Sequence, residues 1–415
     1  MKTISLLSVW FGFTVLLAAG RAESSASSDG FTVDADFPGG NIQVVRTEPG
    51  RFILAPDLRD TQTNQWWFFF NVRLRGPAGS AVELAFAEKK PIGVRGPAVS
   101  TDAGLTWRWL GAEAVKSIRV GEKPGWSFTA RIPAQGGEVR YAFCPEYLQA
   151  HLDLWRQRHS ANPALRVEEL CRSRKGRPVE LLRAGCLDDR KSPGMVLLTS
   201  RHHCCEAMAT YAMEGFLETV LGTNELARQW QSHWQVVALP FMDKDGVEAG
   251  DQGKNRHPHD HNRDYNAAPL YPEVAALMRL GQEIKARVVA SVDLHCPYIS
   301  GTWNDRAYMV GCADPGFAAR QRALADRLEQ TRRGPVPFTT RDCLLEFGKS
   351  WNTAGNFSQG RSSSAWARDT FTSARVVTTF ELAYADAQSV EVNAESARAF
   401  GADVARALAA QLSAP

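Results

Sequence analysis

Within Arg201-His202-His203-Cys204-Cys205-Glu206 an imidazole stands three residues before a carboxylate, directly after an apolar run. That pairing can supply half of a zinc site, because a catalytic zinc keeps three imidazole or carboxylate ligands and leaves a fourth position for water. So short a motif gains weight only with a third ligand, a base and an anion clamp. His295 is the candidate third ligand, since it closes the apolar run Val288 to Leu294. Asp293 shares its face by strand alternation and could orient a ligand imidazole.

These residues need elements that bring them together. Met195 to Thr199 is short, β-branched and apolar, and Ala207 to Leu221 repeats apolar residues at helical spacing, so the His and Glu fall on a strand-to-helix turn. Sites in open α/β sheets lie outside the carboxyl ends of strands, which makes this turn the expected address. The alternation continues through strands Gln235 to Leu239, Val288 to Leu294 and Arg375 to Leu382, and helices Pro272 to Ala286, Pro315 to Gln330 and Val392 to Leu412. A helix over Glu146 to Gln157 and a hairpin around Gly176 and Pro178 come first. The pattern predicts an α/β domain with a mostly parallel mixed sheet and helices on both faces.

Before Pro145 the pattern is different. Short aromatic or β-branched runs, Trp66 to Val72, Val82 to Phe86, Trp107 to Trp109, Trp126 to Ile132 and Val139 to Phe143, are divided by Gly and Pro. They predict an antiparallel β-sandwich whose aromatics form a plain core rather than a sugar site. The expected domains are a signal peptide at 1–22, a polar linker at 23–29, the sandwich at 30–147 and the catalytic domain at 148–415.

The chain has 415 residues and 44% apolar content, enough for two domains and a large core. Its formal charge is +3, and loss of Lys2 and Arg21 with a leader lowers it to +1, so nothing favours nucleic acid. Lys2, the apolar run Leu6 to Ala19 and the small residues Gly20 and Ala22 have the form of a secretory signal, which predicts export to the periplasm or medium. That run is shorter than the roughly 20 residues a membrane span needs, and no later segment is apolar enough. Eight cysteines permit disulfides in an exported protein, but a chain of this size does not need them. No CxxC pair exists, and Cys204, Cys205 and Cys296 read as small apolar fillers.

The loop from Phe241 to Tyr265 is too long and too specific in composition for a simple connector. Arg-x-His-x-x-Glu at 201–206, Asp245-Gly246-Val247, Asn262-Arg263, Asp293-x-His295 and Phe380-Glu381-Leu382 follow in the order found in the zinc carboxypeptidase family. With a preceding sandwich ending in Ala142-Phe143-Cys144-Pro145-Glu146-Tyr147, the chain most resembles the cytosolic-carboxypeptidase-like branch over roughly residues 30 to 413. The resemblance implies one Zn2+ per chain held by His203, Glu206 and His295, with His203 preferred to His202 because only it stands three before Glu206. It implies Asn262 and Arg263 as the grip on the substrate's terminal carboxylate, Arg256 as the group polarising the scissile carbonyl, and Glu381 as general base. Where the family often carries a mobile tyrosine, counting back from Trp366 reaches Phe357. Arg361, in the loop Gly360 to Trp366, is the candidate for favouring an acidic terminal residue. His257, His259 and His261 read as polar loop residues.

The function this implies is hydrolysis of the C-terminal bond of a peptide or protein. Two other readings stay open: a zinc amidase acting on a cell-wall or other non-standard peptide, and a catalytically silent protein that binds through the sandwich.

Overall fold

The computed structural model describes residues 24–60, 68–188, 190–191, 194–358 and 360–414. The expected signal peptide at 1–22 lies outside them, as do Trp66 and Trp67. The first eleven strands are β1 (Ser25–Ser28), β2 (Phe31–Asp34), β3 (Gln43–Glu48), β4 (Arg51–Ala55), β5 (Asn71–Arg75), β6 (Ala81–Ala87), β7 (Ala98–Ser100), β8 (Arg108–Trp109), β9 (Lys116–Val120), β10 (Lys123–Arg131) and β11 (Glu138–Ala142). They form a six-stranded sheet, β1-β2-β5-β11-β7-β8, and a five-stranded sheet, β3-β4-β6-β10-β9. Phe128 of β10 meets Tyr141 of β11 with ring centroids 5.2 Å apart, and the Arg131 amide donates to the Tyr141 hydroxyl at 2.9 Å.

Three sequence expectations change here. The five-stranded sheet is not purely antiparallel, because β4 and β6 pair in parallel. The intervening β5 belongs to the other sheet, which gives the crossover a parallel pair requires. The expected linker contributes β1, an edge strand paired with β2, since ladder hydrogen bonds need backbone groups and no apolar side chains. Phe68 to Phe70 are fully buried but precede the strand they were expected to form. The amides of Phe68 and Phe69 donate instead to Gln252 Oε1 at 2.9 and 3.1 Å, tying this segment to the long loop.

From α1 (Gln149–Arg158) the chain enters a second region: β12 (Leu165–Arg172), β13 (Pro178–Gly185), β14 (Gly194–Ser200), α2 (Ala207–Leu221), α3 (Glu225–His233), β15 (Trp234–Leu239), α4 (Lys244–Ala249) and α5 (Pro272–Ile284). It continues through β16 (Val288–His295), β17 (Ala307–Val310), α6 (Pro315–Thr331), α7 (Thr340–Cys343), β18 (Leu344–Leu345), α8 (Ser363–Thr370), β19 (Val376–Leu382) and α9 (Ala394–Ser413). The eight strands form one sheet in the order β12-β13-β15-β14-β16-β19-β17-β18. Its centre, β15-β14-β16-β19, is parallel, with β13 and β17 antiparallel at the flanks.

Alternation along β14 explains the layers. Val196 and Leu198 join the core under α2 and α9, while Met195 and Leu197 join a separate core under α5 and α8. A strand covered on both faces is buried throughout and largely apolar, as β14 and β15 are. The carboxyl ends of β14, β16 and β19 therefore emerge side by side.

Candidate metal centre and catalytic pocket

β14 runs into a forced turn. Arg201 adopts φ 61°, a left-handed conformation that a non-glycine residue keeps only when its surroundings hold it. Its fully buried guanidinium does so, donating Nε to the Cys204 carbonyl at 2.6 Å and Nη1 to the Tyr147 carbonyl at 2.8 Å. The loop is thereby fixed, and α2 begins directly after Glu206.

Ligand atoms of His203, Glu206 and His295 lie within 4.8 Å of one another. His203 Nδ1 is 2.8 Å from Glu206 Oε1, and His295 Nδ1 is 2.9 Å from Glu206 Oε2. That second oxygen is buried and makes no hydrogen bond among the described residues. Such an orphan fits two groups aimed at one cation rather than at each other.

The opposite side of His295 is secured, with Nε2 2.9 Å from Asp293 Oδ2. Asp293 Oδ1 accepts from Thr199 Oγ1 at 2.8 Å and meets His202 Nδ1 at 3.0 Å, while His202 Nε2 meets the Tyr265 hydroxyl at 2.7 Å. His202, Asp293 and His295 are also close enough to hold an ion. Both Asp293 oxygens are already hydrogen-bonded, however, so this set works as a brace behind the first.

Electrostatics agree with a cation at the first set. Burial pushes the Glu206 carboxyl up, but Lys254, His203 and His295 outweigh it and hold it well below the carboxylate range. Burial pulls both imidazoles down, but Glu206 outweighs it at His203, and Asp293 and Glu206 outweigh it at His295, so both are raised. The field of these carboxylates favours positive charge where the three donors converge.

The register of β16 and β19 places Glu381 directly beside His295. Glu381 is buried, its Oε2 makes no hydrogen bond among the described residues, and burial raises its carboxyl to about 7. It lines a cavity of about 250 Å³ together with His203, His295, Lys254, Asn262 and Arg263. Asn262 and Arg263 sit on a 3-10 turn, His261–Arg263. Asn262 Oδ1 accepts from the Ser363 amide at 2.9 Å, and Arg263 Nη2 donates to the Asn356 carbonyl at 3.2 Å. Two of the converging imidazoles, a buried carboxylate and a guanidinium thus share one cavity.

The fold has counterparts of known structure. A metallo-carboxypeptidase from Burkholderia cenocepacia superposes over 92% of this chain and 99% of its own, with a TM-score of 0.73 at 20% identity. This is the metallo-carboxypeptidase fold. Another from Pseudomonas aeruginosa, solved with (2-guanidinoethylmercapto)succinic acid, superposes over 92% of this chain and 98% of its own at a TM-score of 0.67 and 20% identity. In sequence the chain is related to the cytosolic carboxypeptidases. It is 23% identical to cytosolic carboxypeptidase 6 of Caenorhabditis elegans over 63% of this chain and 61% of that protein. Cytosolic carboxypeptidase 2 of Danio rerio is 23% identical over 55% of this chain and 33% of its own length. The matched stretches therefore span under two thirds of these relatives. No family model matches the chain.

On this fold two expected residues are displaced from the cavity. Arg256 faces away from it, 2.5 Å from Asp243 Oδ2, 3.2 Å from Asp251 Oδ2 and 3.5 Å from Asp60 Oδ2, where three buried carboxylates need its charge. Lys254, two residues earlier, does line the cavity; it pairs with Glu206 and donates to the Cys296 carbonyl at 2.7 Å. Gly253 (φ 77°) makes this possible, because a Cβ there would come within 2.6 Å of the Cys204 nitrogen. A glycine just before a basic residue was the signal in the sequence that could have found Lys254. Arg361 also fails to line the cavity, since its backbone bridges Asp264 and its half-exposed side chain pairs with Asp369.

Phe357 closes the 3-10 turn Ala354–Phe357, next to the cavity residue Asn356. A tyrosine does reach the cavity from elsewhere: Tyr308 of β17, opposite Glu381 in register, which the sequence reading did not single out. His259 pairs with Asp264 at 2.7 Å and His261 stacks on Tyr271 at 3.7 Å, and no second metal group involving them occurs among the described residues.

Proposed function

We propose that this protein is a zinc-dependent carboxypeptidase that hydrolyses the C-terminal bond of peptides or proteins. One observation carries the reading: Glu381, with an orphaned carboxylate oxygen, stands in register beside His295 in the cavity that also contains Arg263. His203, Glu206 and His295 would hold one zinc. When bound, zinc lowers the pKa of a coordinated water and polarises a carbonyl.

The chain's own residues do the rest. Glu381, whose carboxyl is raised by burial, takes a proton from the attacking water and returns it to the leaving amine. Lys254, rather than Arg256, supplies the positive charge that stabilises the developing oxyanion. Arg263 offers a planar fork to the terminal carboxylate, with Asn262 beside it. A larger cavity of about 530 Å³ shares Asn304 with the site and gives the upstream chain room. The expected outcome for Glu381→Ala is loss of hydrolysis with zinc content unchanged; full turnover in that variant would sink the assignment.

The same reading takes residues 30–147 as a β-sandwich domain, supported by the Phe128 to Tyr141 contact, and 148–415 as the catalytic domain. Residues 1–22 are read as an export signal on their sequence. Mass spectrometry of the mature protein should then find Glu23 as its first residue, and an intact N-terminus would remove that part.

A further inference from the structure

With the metal ligands, Glu381, Lys254 and the Asn262-Arg263 pair assigned, the remaining wall of the cavity must receive the side chain of the residue being released. Two strands build part of that wall, and Pro297, Tyr298, Thr302 and Trp351 line the rest. β17 runs antiparallel to β19 with Tyr308 opposite Glu381 and Val310 opposite Thr379. Spacing by two puts all four side chains on one face, and all four line the cavity. Away from Glu381 the wall therefore passes to Thr379 and Val310.

Ser362 and Ser364, at the start of α8, also line the cavity. Ser362 Oγ accepts from the Ala365 amide at 3.2 Å and lies 3.3 Å from Ser364 Oγ.

Glu381 apart, which is assigned to the reaction, the charged groups in this lining face partners within the protein. His203 and His295 face Glu206, and Lys254 is held by Glu206 and the Cys296 carbonyl. Asp260 lies 3.6 Å from His203 Nε2, and Arg263 is committed to the terminal carboxylate. Arg361, which could have answered an acidic side chain, is turned to Asp369.

We propose that this pocket selects peptides ending in a short, uncharged, preferably polar residue and discriminates against both acidic and basic ends. The inference rests on the carboxypeptidase reading and deepens it. Hydroxyls can donate or accept, so the wall of Thr379, Ser362 and Ser364 can serve a Ser, Thr or Asn side chain of either polarity. A carboxylate or ammonium brought there loses water and finds no opposite charge beyond the groups already assigned, a larger penalty than a neutral group meets.

The test uses zinc-loaded full-length protein and peptides identical except for a terminal Ser, Thr, Asn, Val, Glu, Asp, Lys or Arg. Expected is kcat/KM for Ser, Thr and Asn at least tenfold above that for Glu, Asp, Lys and Arg. The same order should appear in calorimetric binding of these peptides to Glu381→Gln, where turnover plays no part. Ser364→Arg should shift preference toward Glu and Asp, and Ser364→Asp toward Lys and Arg, each by about tenfold. A wild-type preference for charged ends would overturn the pocket assignment and leave the carboxypeptidase reading standing. Release of no residue from any peptide, with zinc bound, would overturn both.

Discussion

Lys254 and Arg256 stand two residues apart in one loop, and their surroundings separate what each does. Lys254 is in the cavity on Glu206, while Arg256 neutralises Asp60, Asp243 and Asp251. Lys254→Ala is therefore expected to lower kcat by roughly 10²–10³, the usual scale for losing one oxyanion donor. Arg256→Ala should act on stability, by about 3–5 kcal/mol, because it strands buried carboxylates. Steady-state kinetics beside thermal melts of both variants check this, and equal kinetic losses would remove the distinction. The sequence pointed to Arg256 and passed over Lys254, because which carboxylates each cation meets is settled only by the fold. The three converging donors were legible because their spacing is local: His203 and Glu206 flank one turn, and His295 ends a strand.

Among the elements, α2 was readable to its ends, and β14, β16 and β19 to within a residue or two, since burial on both faces leaves largely apolar, β-branched runs. α4 was hidden inside a polar loop, and β17, only Ala307–Val310, offers four residues of signal. Phe68 to Phe70 looked like strand because apolarity reports burial, not the partner of the amides. The loop Gly360 to Trp366 was expected to shape specificity, and it does reach the cavity, though through Ser362 and Ser364 instead of Arg361. It is keyed to the clamp by Gly360 (φ 151°), where a Cβ would sit 2.2 Å from the Arg263 carbonyl. Gly360→Ala must push Arg263 aside, so KM for free-acid peptides should rise about tenfold or more with zinc content unchanged. An unaltered KM would show that the clamp does not depend on this contact.

At the scale of the molecule, one buried acid outside the cavity links the fold to pH. Glu146, at the entry to the α/β region, is 1% exposed, and neither of its oxygens has a hydrogen-bond partner among the described residues. Burial pushes its carboxyl to about 8 from an ordinary 4.5, with Arg201 only partly opposing. The folded state therefore holds a proton that the unfolded chain releases, and this contribution to stability falls as pH rises from about 4.5 through about 8. Melts of Glu146→Gln should match wild type near pH 5 and exceed it at pH 9, by on the order of a few kcal/mol. Parallel curves across that range would place the charge elsewhere.

The central claim is that this fold holds a zinc beside Glu381 and a carboxylate grip at Arg263. It is tested most directly by mass spectrometry of one peptide, as free acid and as C-terminal amide, incubated with the zinc-loaded protein. The account predicts loss of single residues from the C-terminus of the free acid and essentially none from the amide. Equal attack on both, or cleavage within the chain, would contradict it.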